Sequence, residues 1–139
     1  GKLLDIDFVA VAGRDHALAG TQRLRLDDLR RGRQIVIRDS GVRIKRDVGW
    51  LGADERFTVS QLTTAVTLVR AGMGFAWLPR HMVADGLADG SLVLLPLDRG
   101  STRTQPFYLI VARADDAGPA ANALADIIRI VVKERLALR

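Results

Sequence analysis

The chain contains no cysteine, so disulfide stapling and thiolate chemistry are excluded. That composition is compatible with the cytoplasm. Aromatic residues make up only 5% of it, which leaves few rings for stacking nucleic-acid bases. Its two histidines, His16 and His81, have no partners at ligand spacing, so no metal site is expected. No apolar run approaches the ~20 residues needed to span a bilayer, and no membrane association is expected. Gly1-Lys-Leu-Leu-Asp carries no signal-peptide pattern, because Asp5 and Asp7 interrupt it. Internal repeats, low-complexity segments and flexible linkers are also missing.

What remains is an ordinary folded composition: 139 residues, 48% hydrophobic and 27% charged. A chain of this length can bury roughly two thirds of its unfolded surface in one core. The net charge of +5 implies attraction to anions, either an acidic small molecule or nucleic acid. The positive charges are scattered, however, and a solvated basic surface is the simpler explanation of them. Arg30-Arg31-Gly32-Arg33 is the densest cluster, but it has no aromatic neighbour and no helix-turn-helix pattern accompanies it. DNA binding by these residues is not expected.

The most informative stretch is Phe57–Pro79, which reads as strand, helix, strand. Phe57, Thr58 and Val59 favour β structure, and Ser60 can cap the first free N–H groups of a helix. Leu62, Ala65, Val66 and Val69 follow at i, i+3, i+4 and i+7, one helical face. Gly72 and Gly74 stop that helix, Phe75–Leu78 is an apolar run of strand length, and Pro79 opens another helix. Such a βαβ unit requires a parallel sheet with both faces covered.

Val59-Ser-Gln-Leu through Val69-Arg-Ala-Gly-Met-Gly-Phe-Ala-Trp-Leu-Pro resembles the effector-binding domain of LysR-type transcriptional regulators. Gly86-Leu-Ala-Asp-Gly-Ser-Leu-Val-Leu-Leu is similar to that family's helix-turn-strand. The resemblance extends more loosely over nearly the whole chain. It implies an α/β fold like a type 2 periplasmic binding protein, with two lobes joined by two crossing strands. On this reading residues 13–106 form one complete Rossmann-like lobe, and residues 1–12 and 107–139 supply the crossing strands and a remnant of the other lobe. The resemblance also implies that residues 1–139 are a fragment of the effector-binding domain. DNA binding would then belong to an N-terminal helix-turn-helix domain outside the chain.

Ile6–Ala12 and Phe107–Ala112 read as the two crossing strands. Gly13-Arg14-Asp15-His16 is a polar turn, in which His16 is a turn residue and Ala17 stands where the family has proline. Leu26-Asp27-Asp28-Leu29 starts a short helix with an aspartate as cap, and Gln34–Arg38 is a strand. Asp39-Ser40-Gly41 is a turn and Ile44–Leu51 a helix. The helix after Pro79 should end at Gly86, with Leu92–Leu95 a strand and Asp98–Thr104 a loop. Pro119 opens the last helix, whose apolar residues exceed one face and imply contact on more than one side.

No catalytic constellation emerges. Gly72-Met-Gly74 follows a helix and precedes a strand, the reverse of a dinucleotide fingerprint. Ser40 lacks the Gly-x-Ser-x-Gly elbow, and Asp54-Glu55 are adjacent acids on a turn, facing water. A ligand site is better supported, because small molecules collect beyond the C-terminal ends of parallel strands, where helix N-termini expose N–H groups. Three strand ends qualify: Arg38-Asp39-Ser40, Val59-Ser60-Gln61 and Leu78-Pro79-Arg80. Candidate ligand-binding residues are Arg38, Asp39, Ser40, Ser60, Gln61 and Trp77. Arg38 would neutralise an anion, and Ser60 is either a ligand contact or a purely structural cap. Trp77 either lines the cleft or fills the core.

The family resemblance turns this into an expectation of function. The chain senses a small, anionic effector in the interlobe cleft, needs no cofactor, forms a homodimer and works in the cytoplasm. A solute-binding module of a transport system is the alternative on the same fold. A small enzyme is a third possibility, which a catalytic cluster would have favoured.

Overall fold

The computed structural model describes residues 1–38, 52–112 and 115–138. The turn at Asp39-Ser40-Gly41 and the helix expected at Ile44–Leu51 lie outside them. Among the described residues, six strands and four α-helices follow in the order β1 (Lys2–Gly13), α1 (Leu26–Arg30), β2 (Arg33–Ile37), β3 (Glu55–Val59), α2 (Leu62–Arg70), β4 (Phe75–Pro79), α3 (Arg80–Asp89), β5 (Leu92–Leu94), β6 (Thr102–Tyr108) and α4 (Pro119–Ala137). The chain forms two compact units. One comprises Asp7–Arg103, the other Gly1–Ile6 with Thr104–Arg139.

The larger unit is built on the strand order β3-β2-β4-β1-β5. β2 runs parallel to both β3 and β4, whereas β1 is antiparallel to β4 and β5. The sheet is therefore mixed, not purely parallel. Its expected βαβ core is present as β3-α2-β4, with β2 inserted between the two strands. Side chains alternate across the sheet, as a strand's twofold period demands. Val9 and Val11 of β1 and Ala76 and Leu78 of β4 join Ile35, the α2 residues Ala65 and Val69, and Val83 of α3. Ala10, Ala12, Phe75 and Trp77 point the other way and meet Leu24, Leu29 of α1 and Leu95. Both faces are covered.

α2 ends where the two glycines predicted. Gly72 takes φ +79, its N–H bonds Val69 O at 3.0 Å, and the Met73 N–H bonds Leu68 O at 3.0 Å. That pair satisfies carbonyls left free at the helix end. Gly74 serves close packing instead, since a Cβ there would lie 2.5 Å from the Arg33 carbonyl oxygen.

Several boundaries differ from expectation. α3 runs through Gly86 to Asp89, and Gly90, at φ +80, is the residue that ends it. Gly86 is buried inside the helix because a Cβ would sit 2.6 Å from Leu92 Cδ1. Packing, not helix breaking, demands a glycine there. α1 is capped from within: Arg25 is the N-cap, and its N–H donates to the Asp28 carboxylate at 2.8 Å. His16 is more than a turn residue, since its Nδ1 accepts the Leu18 N–H at 3.1 Å and caps the 3₁₀ turn Ala17–Gly20. β6 begins at Thr102 and includes Pro106, so it reaches into the expected loop and ends before Leu109. A strand that pairs only with β1 tolerates proline's missing N–H.

In the smaller unit, Gly1 and Leu109 exchange two hydrogen bonds, of 3.1 and 3.0 Å. α4 opens at Pro119, as predicted, and only Ala125 of it is buried. Ile128 and Val132 are half-buried on the same side as Ala125. Leu124, Ile127, Ile130 and Val131, on another side, are each about half exposed.

Candidate functional site

The β3-β2-β4 order decides where a ligand can bind. From β2 the chain moves outward to β3, then returns through α2 to the other side of β2 as β4. The point between β2 and β4 is therefore a topological switch point, where the crevice beyond the C-terminal strand ends opens. β2 and β4 register at a single pair, Gln34–Phe75, near the start of both strands.

Around that crevice lie three strand ends. Arg38 follows β2, is exposed, and its N–H donates to Val59 O at 2.7 Å, which ties the end of β2 to the end of β3. Ser60 and Gln61 follow β3 and are exposed. Arg80 is the first residue of α3, directly after β4, and is also exposed. Asp39 and Ser40 lie outside the described residues.

The helix starts here are unusually bare. Gln61, not Ser60, is the N-cap of α2; it makes no side-chain cap bond, and the first turn has no acid. Ser60 is one residue too early to cap. Pro79 is the N-cap of α3, which likewise has no side-chain cap and no acid in its first turn. Two sets of free N–H groups and two positive helix ends thus share one edge with Arg38 and Arg80. An arrangement of this kind favours a carboxylate, phosphate or similar oxyanion.

Trp77 is placed differently from the other predicted residues. Its side chain is 6% exposed and packs edge-on against Phe75, with ring centroids 6.1 Å apart. Its Nε1–H donates to Gly100 O at 2.8 Å, and the Arg103 guanidinium lies 3.9 Å above the ring. Burial holds the Arg103 pKa below its ordinary value.

Other charged groups are engaged away from this edge. Arg33, at the opposite end of β2, bonds Glu55 through Nε and Nη2 at 2.9 and 2.8 Å and covers the Phe57 ring at 4.4 Å. Arg30 reaches Asp27 at 3.7 Å. The densest basic cluster is thereby partly neutralised, and Glu55 is an ion-pair partner for Arg33. Among the described residues no group of three His, Cys, Asp or Glu could hold a metal. A cavity of about 490 Å³ lies in the smaller unit, where Asn122, Ala125 and Arg129 of α4 face Leu109 and Val111. It contains none of the predicted residues.

The sequence pointed to Arg38, Ser60 and Gln61 but left Arg80 out of the candidate set, although the Leu-Pro-Arg strand end was visible. Pro79 was the available signal, because it fixes where α3 begins and so where Arg80 stands.

The family model for the LysR substrate binding domain matches residues 1–133. No curated protein sequence matches the chain. Among solved structures, the regulatory domain of Synechocystis PCC6803 CcmR in complex with 2-PG is similar at 18% identity and a TM-score of 0.61, over 96% of this chain and 66% of that one. Full-length LysG from Corynebacterium glutamicum is similar at 19% identity and a TM-score of 0.63, over 96% of this chain and 45% of that one. The bromide-bound regulatory domain of HypT from Salmonella typhimurium gives 15% identity and a TM-score of 0.62, over 96% and 64%. This chain thus spans between 45% and 66% of the length of these three. The likenesses establish the fold, which is the type 2 periplasmic-binding-protein-like fold of such regulatory domains.

Proposed function

Because the chain belongs to the LysR substrate binding domain family, we propose that it is the effector-sensing part of a LysR-type transcriptional regulator. The family is one of regulator domains, not of enzymes, and we assign the chain no catalysis. A transport module of the same fold has no comparable support.

The observation that carries the ligand reading is the switch point between β2 and β4, with its uncapped helix starts and its flanking arginines. The effector is a small anionic metabolite. Arg38 supplies the counter-charge, Ser60 and Gln61 supply side-chain hydrogen bonds, and Asp39 and Ser40 are assigned as further ligand contacts. Trp77, within β4, supports the site from the core. The bromide ion held by the HypT regulatory domain is in keeping with anion recognition on this fold. Under this reading the regulator works in the cytoplasm as a homodimer and binds DNA through an N-terminal helix-turn-helix domain outside these 139 residues. No described helix is long and apolar enough to cross a membrane.

Calorimetry with a panel of small carboxylates and phosphate esters tests the site. Arg38→Ala should weaken the best binder roughly tenfold to a hundredfold, the range for a hydrogen bond to a charged group. Ser60→Ala should weaken it less. Unchanged affinity in both variants would move the site elsewhere. Duplex DNA should bind the 139-residue chain weakly and lose binding as salt rises; specific operator binding at ~200 mM salt would overturn the assignment of DNA recognition to another domain.

A further inference from the structure

The chain enters the larger unit at Asp7 and leaves it immediately after Arg103. The four residues before that exit are tied down at three points. Gly100 O accepts the Trp77 indole N–H at 2.8 Å, and Ser101 O accepts the Ala10 N–H at 2.8 Å. The Arg103 guanidinium lies over the Trp77 ring at 3.9 Å. Gly100 adopts φ +73, which folds its carbonyl back toward the indole. All three ties end on adjacent strands, β1 and β4, since Ala10 and Trp77 are register partners.

We propose that Arg103 is a conformational latch: its cation–π contact with Trp77 fixes Gly100–Arg103 on β4 and so sets the residue at which β6 departs from the larger unit. The ring is an effective anchor because it is packed within the core. Trp77 sits in a strand between Ala76 and Leu78, both fully buried, with Phe75 against its edge. The guanidinium is the movable half, as it sits at the start of β6, next to exposed Thr102 and Thr104, and its stem is long. A planar, weakly hydrated cation is suited to covering an indole face, where it both shields the ring and keeps its charge near solvent. Releasing Arg103 loosens the start of β6 without unpacking the core around Trp77, and the departure point of β6 becomes variable.

The chain has two tryptophans, Trp50 and Trp77, so a Trp50→Phe background makes Trp77 the sole reporter. In that background Arg103→Met, which keeps the stem and removes the charge, should red-shift Trp77 emission and raise its quenching by acrylamide. Hydrogen exchange at the amides of Ala10 and of Ser101–Arg103 should rise roughly tenfold, the factor carried by ~1.4 kcal/mol. Exchange at Ile35–Ile37 and Phe57–Val59 should not change. Arg103→Lys, which retains a cation, should restore most of both signals. The proposal is overturned if Arg103→Met leaves emission and local exchange at their original values. It is equally overturned if exchange rises throughout the unit, since Arg103 would then contribute to global stability and not to a local tie.

Discussion

At the scale of single residues, glycine and histidine carry the sharpest consequences. Gly86 lies inside a helix, where alanine would gain ~1 kcal/mol of propensity. The added methyl would meet Leu92, which is itself 1% exposed and has nowhere to turn. Overpacking of this kind costs ~1–3 kcal/mol, so Gly86→Ala should lower the melting temperature. A rise would mean that Leu92 has room that the packing denies. His16 adds a pH dependence. Burial lowers its pKa below the ordinary 6.5, and its Nδ1 must stay unprotonated to accept the Leu18 N–H. A depressed folded-state pKa means that the unfolded chain binds the proton more readily. The contribution is therefore complete above pH 6.5 and is lost as pH falls through the lower folded value. Thermal melts between pH 7.5 and 5 should show a slope that His16→Asn reduces; identical slopes would refute the coupling. Neither role was legible beforehand. The sequence shows a glycine or a histidine, but the demand on each comes from a neighbour distant in the chain or from a backbone turn.

At the scale of elements, the sequence was a good guide to the central strand-helix-strand and a poorer one to helix ends. Periodicity found α2 and α4 because a helical face is written every three to four residues. Caps depend on one residue's dihedral angles, and Ser60 illustrates the difficulty: it has the right chemistry one position too early. That misplacement makes a prediction. Gln61 occupies the N-cap of α2 without capping it. Gln61→Asp should supply the missing bond and stabilise the unit by ~0.5–2 kcal/mol, read as an increase in melting temperature. The same aspartate would put a negative charge where the effector's anion is proposed to bind, so affinity should fall while stability rises. A variant that gained both would argue against an anionic ligand at this helix start.

At the scale of the whole molecule, α4 carries the main unmet demand. Leu124, Ile127, Ile130 and Val131 remain about half exposed on a side that Ala125 does not share. Contiguous apolar surface of this sort is uncommon on monomers. Completing the burial of each side chain should contribute on the order of 1 kcal/mol, about half the full transfer value. The 139-residue chain should therefore self-associate at micromolar concentration in sedimentation experiments, and Ile127→Lys combined with Val131→Lys should abolish it. A clean monomer before mutation would remove α4 as the contact. The apolar excess of this helix was readable in the sequence. Which of its sides stays open was not, because that depends on which residues happen to meet Ala125, Ile128 and Val132.

The alternation of β1 and β4 between two cores also bears on how such a sensor can change. Val9 and Val11 belong to one core, Ala10 and Ala12 to the other, and Ala76, Leu78, Phe75 and Trp77 divide in the same way. Adding or removing one residue in either strand would exchange the two sets and ruin both cores at once. Length is thus frozen within these strands, whereas Arg38, Ser60, Gln61 and Arg80 project from their ends and are excused from either core. Substitution there leaves the packing intact. On the proposed ligand site, single substitutions at these four positions are therefore expected to alter ligand contacts while the chain still folds.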